Sequence, residues 1–300
     1  MKLTTANIGD KALVAPLSVV RWIVGCGGLM VCCGFAAAQD KGAAPALEPW
    51  DKTKFDQRST TIDNPWLPMK PGTRYVYEGN TVEDGKLVPH RVEINVTDLT
   101  KVIDGVRTLV SYDLDFSRGK LAEAELAMFA QDKDGNVWRI GEYPEEYDNG
   151  KITKVPAWIQ GFEGARAGIM MKAEPKLGTP SYSQGYGPAV DWTDRGQTHE
   201  MGKTVKVRGG SFKDVMVIKE TARSEVNAQQ YKWYAKGTGN IKVTYGGDDK
   251  TKETLELVRV ETMTPKQLAD VRAKALKLEK SAMTHGKDTY ALLPPAEQLK

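Results

Sequence analysis

The sequence predicts an all-β protein: a duplicated antiparallel meander forming a curved sheet, sandwich or half-barrel, with one C-terminal amphipathic helix. Three observations carry that expectation. Between Thr61 and Glu261, short runs such as Arg74-Tyr75-Val76-Tyr77-Glu78, Arg91-Val92-Glu93-Ile94-Asn95-Val96 and Thr108-Leu109-Val110-Ser111-Tyr112 alternate with period two, as half-buried strands do. Turn residues that tolerate positive φ separate them, at Asp84-Gly85, Asp104-Gly105 and Asn149-Gly150. The third is a repeat: Gly72-Thr73 recurs as Gly178-Thr179 and Val106–Val110 as Phe212–Met216, both at an offset of 106, and Gly135-Asn136-Val137 recurs as Gly239-Asn240-Ile241 at 104. Two copies make a duplicated sheet, since a solenoid needs at least three to bury its faces.

Taken in chain order, residues 1–38 read as a secretory signal, with Lys2, Lys11 and Arg21 ahead of an apolar run from Trp22 to Phe35 and small residues before Gln39. A rival reading lipidates Cys26. All three cysteines, Cys26, Cys32 and Cys33, fall in this leader, so the mature chain has no thiol for a disulfide or a cysteine-bound metal. Removing those three basic residues and Asp10 from totals of 42 and 39 leaves 39 basic against 38 acidic residues, a balance that predicts no nucleic-acid partner. No later run is long and apolar enough to span a bilayer, so the expected product is exported, periplasmic or secreted, and not an integral membrane protein.

Residues 39–60 lack periodicity and are expected to be a flexible lead-in. The first β repeat is placed at 61–165 and the second at 166–262. Thr264-Pro265-Lys266-Gln267 is a capping box with proline at the first helical position, and Leu268, Val271, Ala275 and Leu278 follow at helical spacing, so a helix is expected over 264–284. Residues 285–300, with Pro294-Pro295, are expected to be a loose tail.

The stretch Ala130-Gln131-Asp132-Lys133-Asp134-Gly135-Asn136-Val137-Trp138 superficially resembles a calcium loop. Counted from Asp132, however, Val137 stands where the sixth-position glycine must be and Tyr143 where the bidentate glutamate must be. The segment is instead expected to be a type I′-like hairpin reversing at Asp134-Gly135. A cation site of another kind would fall to Asp132, Asp134 and Glu142. Glu123, Glu125, Glu142, Glu145, Glu146 and Asp148 crowd the same repeat, either as a solvent face or as carboxylates forced together.

His199-Glu200 lacks the second zincin histidine, and no nucleophile elbow, Walker loop or Rossmann fingerprint is present, so no catalytic residue and no cofactor is nominated. Aromatic residues supply the remaining lead. Trp66, Trp158, Trp192, Tyr182 and Tyr186 lie in loops or beside glycines and are the candidate ligand-binding residues.

Asn64-Pro65-Trp66-Leu67-Pro68-Met69-Lys70-Pro71-Gly72, and Ala130 to Trp138 followed by Gly141-Glu142, resemble a group of uncharacterised exported bacterial proteins to which no activity is assigned. More loosely, the pattern looks like the curved sheets of periplasmic lipoprotein carriers, a likeness of fold only. The expected function is therefore an exported binding or carrier protein for a small apolar or amphipathic molecule, such as a lipid. The alternatives are a hydrolase or calcium-dependent site on the acidic hairpin, and a structural envelope protein. Oligomeric state is left open.

Overall fold

The computed structural model describes residues 46–299; the signal sequence, the Gln39 cleavage point and Cys26 lie outside them. The first meander runs through β1 (Thr73–Glu83), β2 (Lys86–Ile103), β3 (Val106–Ser117), β4 (Lys120–Gln131), β5 (Val137–Asp148) and β6 (Lys151–Lys154). Short strands β7 (Trp158–Ile159), β8 (Gly168–Met171) and β9 (Tyr182–Ser183) lead to the second. That one comprises β10 (Arg195–Val207), β11 (Gly210–Thr221), β12 (Ala228–Ala235), β13 (Gly239–Gly247) and β14 (Thr254–Thr262), and α1 (Pro265–His285) and β15 (Glu297–Gln298) close the chain.

The strands form one open, curved antiparallel sheet in the order β6-β5-β4-β3-β2-β1-β14-β13-β12-β11-β10-β9. The two meanders therefore meet where the first strand of one pairs with the last strand of the other, Thr73 opposite Thr262. Of the segments matched in sequence, Val106–Val110 opens β3 and Phe212–Met216 lies in β11, while Gly135-Asn136 precedes β5 and Gly239-Asn240 opens β13.

Four hairpins of the first meander turn on two residues that both have positive φ: Asp84-Gly85, Asp104-Gly105, Arg118-Gly119 and Asn149-Gly150. This is the type I′ turn, whose twist matches that of the strands it joins. The β4–β5 hairpin differs from expectation. Gly135 has φ +89° but Asp134 is not left-handed, the Gly135 N–H donates to Asp132 O at 2.9 Å and the Asp132 N–H to Asn136 O at 2.9 Å. The result is a three-residue loop, a type I turn followed by a left-handed glycine, in place of the two-residue I′ turn.

Alternation divides the sheet into two faces. On the convex side of β2–β5, Leu99, Val110, Leu126, Met128 and Ile140 pack with Val271, Ala275, Leu278 and Ala282 of α1. The Thr264 capping box is formed, its hydroxyl accepting from the Gln267 N–H. On the other face, Tyr77, Val92 and Leu109 gather with Met216, Ile218, Tyr234, Ile241 and Leu255. Only a sheet curled about that face can bring both meanders into one cluster, so this is the concave side.

Both ends of the described chain are held more firmly than their composition suggests. Trp50 packs tilted against Phe55 and edge-on against Trp138 and donates its Nε1–H to Asp104 at 2.7 Å, and the Gln131 N–H donates to Ser59 O at 2.8 Å. Beyond α1, Tyr290 is fully buried and β15 pairs with β2. Lys101, 1% exposed, joins tail and helix by donating to Glu279 Oε1 at 2.7 Å and Pro294 O at 2.8 Å. Isolated aromatic residues without periodicity give no sign of such packing in sequence.

Candidate functional site

The concave face of β2–β5 is where the fold departs furthest from a simple hydrophobic interior. Register sets Asp113 opposite Glu125, and Asp115 opposite Glu123 with Glu146 beyond it, while Ala127 faces Glu142. Like charges directly opposite one another repel, so such ladders persist only with counter-charges or bound protons. Two bases answer them. The buried Arg139 guanidinium pairs with Glu125 and, through Nη2 at 2.8 Å, with Glu142. His90 lies between Asp115, at 2.6 Å from Nε2, and Glu253, at 3.0 Å from Nδ1.

Protons supply the rest. Burial, then the neighbouring Glu125 charge, pushes the Asp113 carboxyl up to about 8. Burial, with the Asp115 charge, raises Glu253 to about 7 against the pull of His90; burial raises Glu125 despite Arg139, and burial with the Glu125 and Glu123 charges raises Glu142 well up despite the same guanidinium. Glu123 is driven well up by burial and by Glu125. Burial lowers the His90 imidazole, but Asp115 and Glu253 outweigh it and bring the group up to about 10. The face therefore holds charged His90 and Arg139 among carboxyls several of which keep their protons near neutrality.

One small apolar cavity, of about 40 Å³, opens onto this face. Tyr75, Tyr77, Ile94 and Phe129 line it, together with Leu67, Pro68 and Met69 from one segment and Thr238, Gly239 and Asn240 from another. Asp113 is the only ionisable group of the lining besides tyrosines, and it is 7% exposed. A separate cleft of about 20 Å³ is more polar, and its buried Glu220 is held by Lys232 at 2.5 Å and by Gln184 at 2.9 Å.

Leu67, Pro68 and Met69 belong to the Asn64–Gly72 motif, which hydrogen bonds tie to the Ala130–Trp138 motif. Asn64 Nδ2 donates to Gly135 O at 2.9 Å and to Lys172 O at 3.2 Å, and its Oδ1 accepts from the Trp66 N–H at 2.8 Å. The Gln131 side chain accepts from the Asp63 and Asn64 N–H groups, so the Asn-Pro-Trp loop is tied to the β4–β5 hairpin and Leu67–Met69 are held in the cavity lining.

The expected metal ligands are kept apart. The Asp132 carboxylate accepts from Asn136 N, Asn136 Nδ2 and Trp138 Nε1. Asp134 pairs with Lys54 at 2.8 Å, and Glu142 belongs to the Arg139 group. Among the described residues no three His, Asp or Glu side chains are placed to hold a cation.

Of the ligand candidates, none lines the apolar cavity. Trp66 is buried beside it under the Lys236 ammonium, 5.0 Å from the ring. Trp158 and Trp192 pack together with centroids 5.7 Å apart, with the Arg139 guanidinium 5.1 Å from the Trp192 ring. Tyr182 is buried against Gly196, and Tyr186 makes backbone hydrogen bonds with Arg166. Asp113, Asp115, His90, Arg139 and Glu253 escaped the sequence reading. The usable signal was Asp113-x-Asp115 facing Glu123-x-Glu125 across a two-residue turn, which alone sets four acids on one face.

No family model matches the chain, and no curated protein does. Among solved structures, similarity is found to a Bacteroides fragilis protein inferred to be exported and described by its YmcC-like fold, at 14% identity and a TM-score of 0.38, covering 65% of this chain and 98% of that one. A Parabacteroides distasonis protein inferred to be a lipoprotein is similar at 11% identity and a TM-score of 0.31, covering 67% of this chain and 99% of the other.

Proposed function

We propose that this is an exported, non-catalytic binding or carrier protein that takes a small apolar or amphipathic molecule in the concave-face cavity. The supporting observation is the lining: apolar and aromatic walls with very few polar groups, the character of sites that bury most of a ligand's surface. Export rests on the leader-like residues 1–38. The hydrolase alternative is weaker, because acid–base chemistry calls for two placed groups and only one carboxyl, that of Asp113, reaches the cavity. A calcium-dependent version loses its ligands to Trp138, Asn136 and Lys54.

Native mass spectrometry of gently purified protein is expected to show a retained apolar molecule, and the same molecule should raise Tm with its concentration. Leu67→Trp and Thr238→Trp fill the mouth from partly exposed positions and should abolish both effects while leaving the circular dichroism unchanged. Unaltered binding in both variants would remove the cavity from consideration.

A further inference from the structure

The outer face of α1 concentrates positive charge that the fold itself does not use. Lys266, Lys274, Lys277 and Lys280 on the helix, and Lys287 just beyond it, are all exposed, and none has a hydrogen-bond or ion-pair partner among the described residues. Other charges of this region are engaged: Arg272 is held by both oxygens of Asp98, at 2.8 and 2.7 Å, Glu279 by the buried Lys101, and Glu297 by Arg107. The exposed acids here are Asp270 and Asp288, so five lysines against two acids leave a net of +3 on a chain whose residues 39–300 carry 39 basic and 38 acidic side chains.

The helix dipole does not account for these lysines, because its pull on cations is confined to the last turn and Lys266 to Lys280 precede it. Helix stability does not account for them either. Lys274, Lys277 and Lys280 follow at i, i+3, where like charges sit side by side, and no acid stands three or four residues from Lys277 or Lys280 to offset them. At 3.6 residues per turn, Lys266, Lys277 and Lys280 lie opposite the buried Val271, Ala275, Leu278 and Ala282, along a helix about 30 Å long.

We propose that the lysine face of α1 docks the protein on an anionic phospholipid surface. A row of charges along one helix face can meet a plane of head groups all at once, and each lysine gains from the surface potential there. The solvent-facing bases of α1 are all lysines, mobile point charges that suit phosphates of any orientation. Fixed carboxylates and nucleic-acid phosphates are better matched by the planar fork of arginine, and the one arginine of the helix is held by Asp98. Leu276, 38% exposed, lies one turn before Lys280 and offers the head-group region an apolar contact that a polyanion in water would not use. Because α1 covers the convex side, docking leaves the concave face and its cavity free, and the assignment stands independently of any ligand bound there.

The experiment is co-sedimentation of the protein purified after export, its mass measured first to establish that it carries no acyl chain, with vesicles of phosphatidylcholine alone or with about one third phosphatidylglycerol. At ~0.05 M salt it is expected to bind the anionic vesicles at least about tenfold tighter than the neutral ones, and to leave them at ~0.5 M salt, where screening shortens the reach of each charge. A lysine near such a surface contributes about fivefold, so Lys274→Gln, Lys277→Gln and Lys280→Gln together should weaken binding by about 100-fold. The matched set Lys86→Gln, Lys120→Gln and Lys151→Gln removes the same charge from exposed strand ends and should change binding by less than about twofold. Circular dichroism should be unaltered in both sets, since all six lysines face solvent. Equal weakening by the two sets overturns the proposal in favour of net charge alone. Equal binding to neutral and anionic vesicles, or binding to neither, overturns it outright. Polyglutamate binding tighter than the anionic vesicles would reassign the face to an acidic protein.

Discussion

Strands β3, β4 and β5 present two faces of equal burial and opposite chemistry. Towards α1 they show Val110, Tyr112, Leu126, Met128 and Ile140; towards the concavity the alternate positions carry Asp113, Asp115, Glu123, Glu125, Arg139 and Glu142. Every one of these residues is less than a tenth exposed. Burial and apolarity are therefore separate properties here. The convex face gains stability from area removed from water, whereas the concave face gives some of it up to bury ionisable groups.

The largest test of that contrast is removal of the shared base. Arg139→Leu leaves Glu125 and Glu142 buried without a counter-charge and is expected to lose about 3–5 kcal/mol in urea unfolding. The triple change Arg139→Leu, Glu125→Leu, Glu142→Leu should recover most of it, because an apolar replacement of a whole buried ion group is near neutral. A triple variant as weak as the single one would show the group stabilises the fold outright.

pH sharpens the same comparison. Asp113 and Glu253 have folded values of about 8 and 7, above the ordinary carboxyl range, so the proton each holds favours the fold fully below about 4 and that contribution is lost as pH rises through the folded value. His90, raised to about 10 from 6.5, acts in the same direction: its contribution is complete below the unfolded value and is lost as pH approaches 10. Tm is expected to fall by roughly 5–10 °C between pH 6 and pH 9. A Tm rising over that interval would contradict the assignment of bound protons to this face.

These ionisable positions also mark the limit of sequence reasoning. Turns at Asp84-Gly85, Asp104-Gly105 and Asn149-Gly150 were legible because only residues tolerant of positive φ suit them, and α1 because its capping box and apolar spacing agree. The concave face was not. Period-two alternation of Ala, Leu and Glu in β4 has the pattern of a sheet with one wet face, and nothing local distinguishes water from the opposite wall of a curled sheet on the far side. Closure between β1 and β14 makes that wall, and it joins residues nearly two hundred positions apart. The packing of the aromatic candidates was hidden for a related reason: Trp158 and Trp192 lie among glycines because glycine lets the backbone approach their rings, with a Cβ on Gly185 falling 2.7 Å from Trp158.

A smaller effect is expected on the helix side. Thr264→Ala removes the capping hydroxyl and should lower stability by about 1 kcal/mol without altering ligand binding, since α1 touches only the convex face. The smallest expected effect is none: millimolar calcium added after chelation should leave Tm unchanged, because Asp132 and Asp134 already have protein partners. A calcium-dependent rise lost in Asp132→Asn would reinstate the hairpin as a cation site.

The seam between Thr73 and Thr262 has a consequence in time. A chain emerging from its N-terminus completes β1 to β6 long before β14 exists, so the hydrogen-bonding edge of β1 that β14 later occupies stays open through most of synthesis. Until then that edge is a template for any extended segment nearby, and closure across so long a separation is slow. The chain thus passes through a prolonged half-sheet stage in which a holding chaperone would find an exposed strand edge, and truncations ending before Thr254 are expected to aggregate instead of folding as an independent first half.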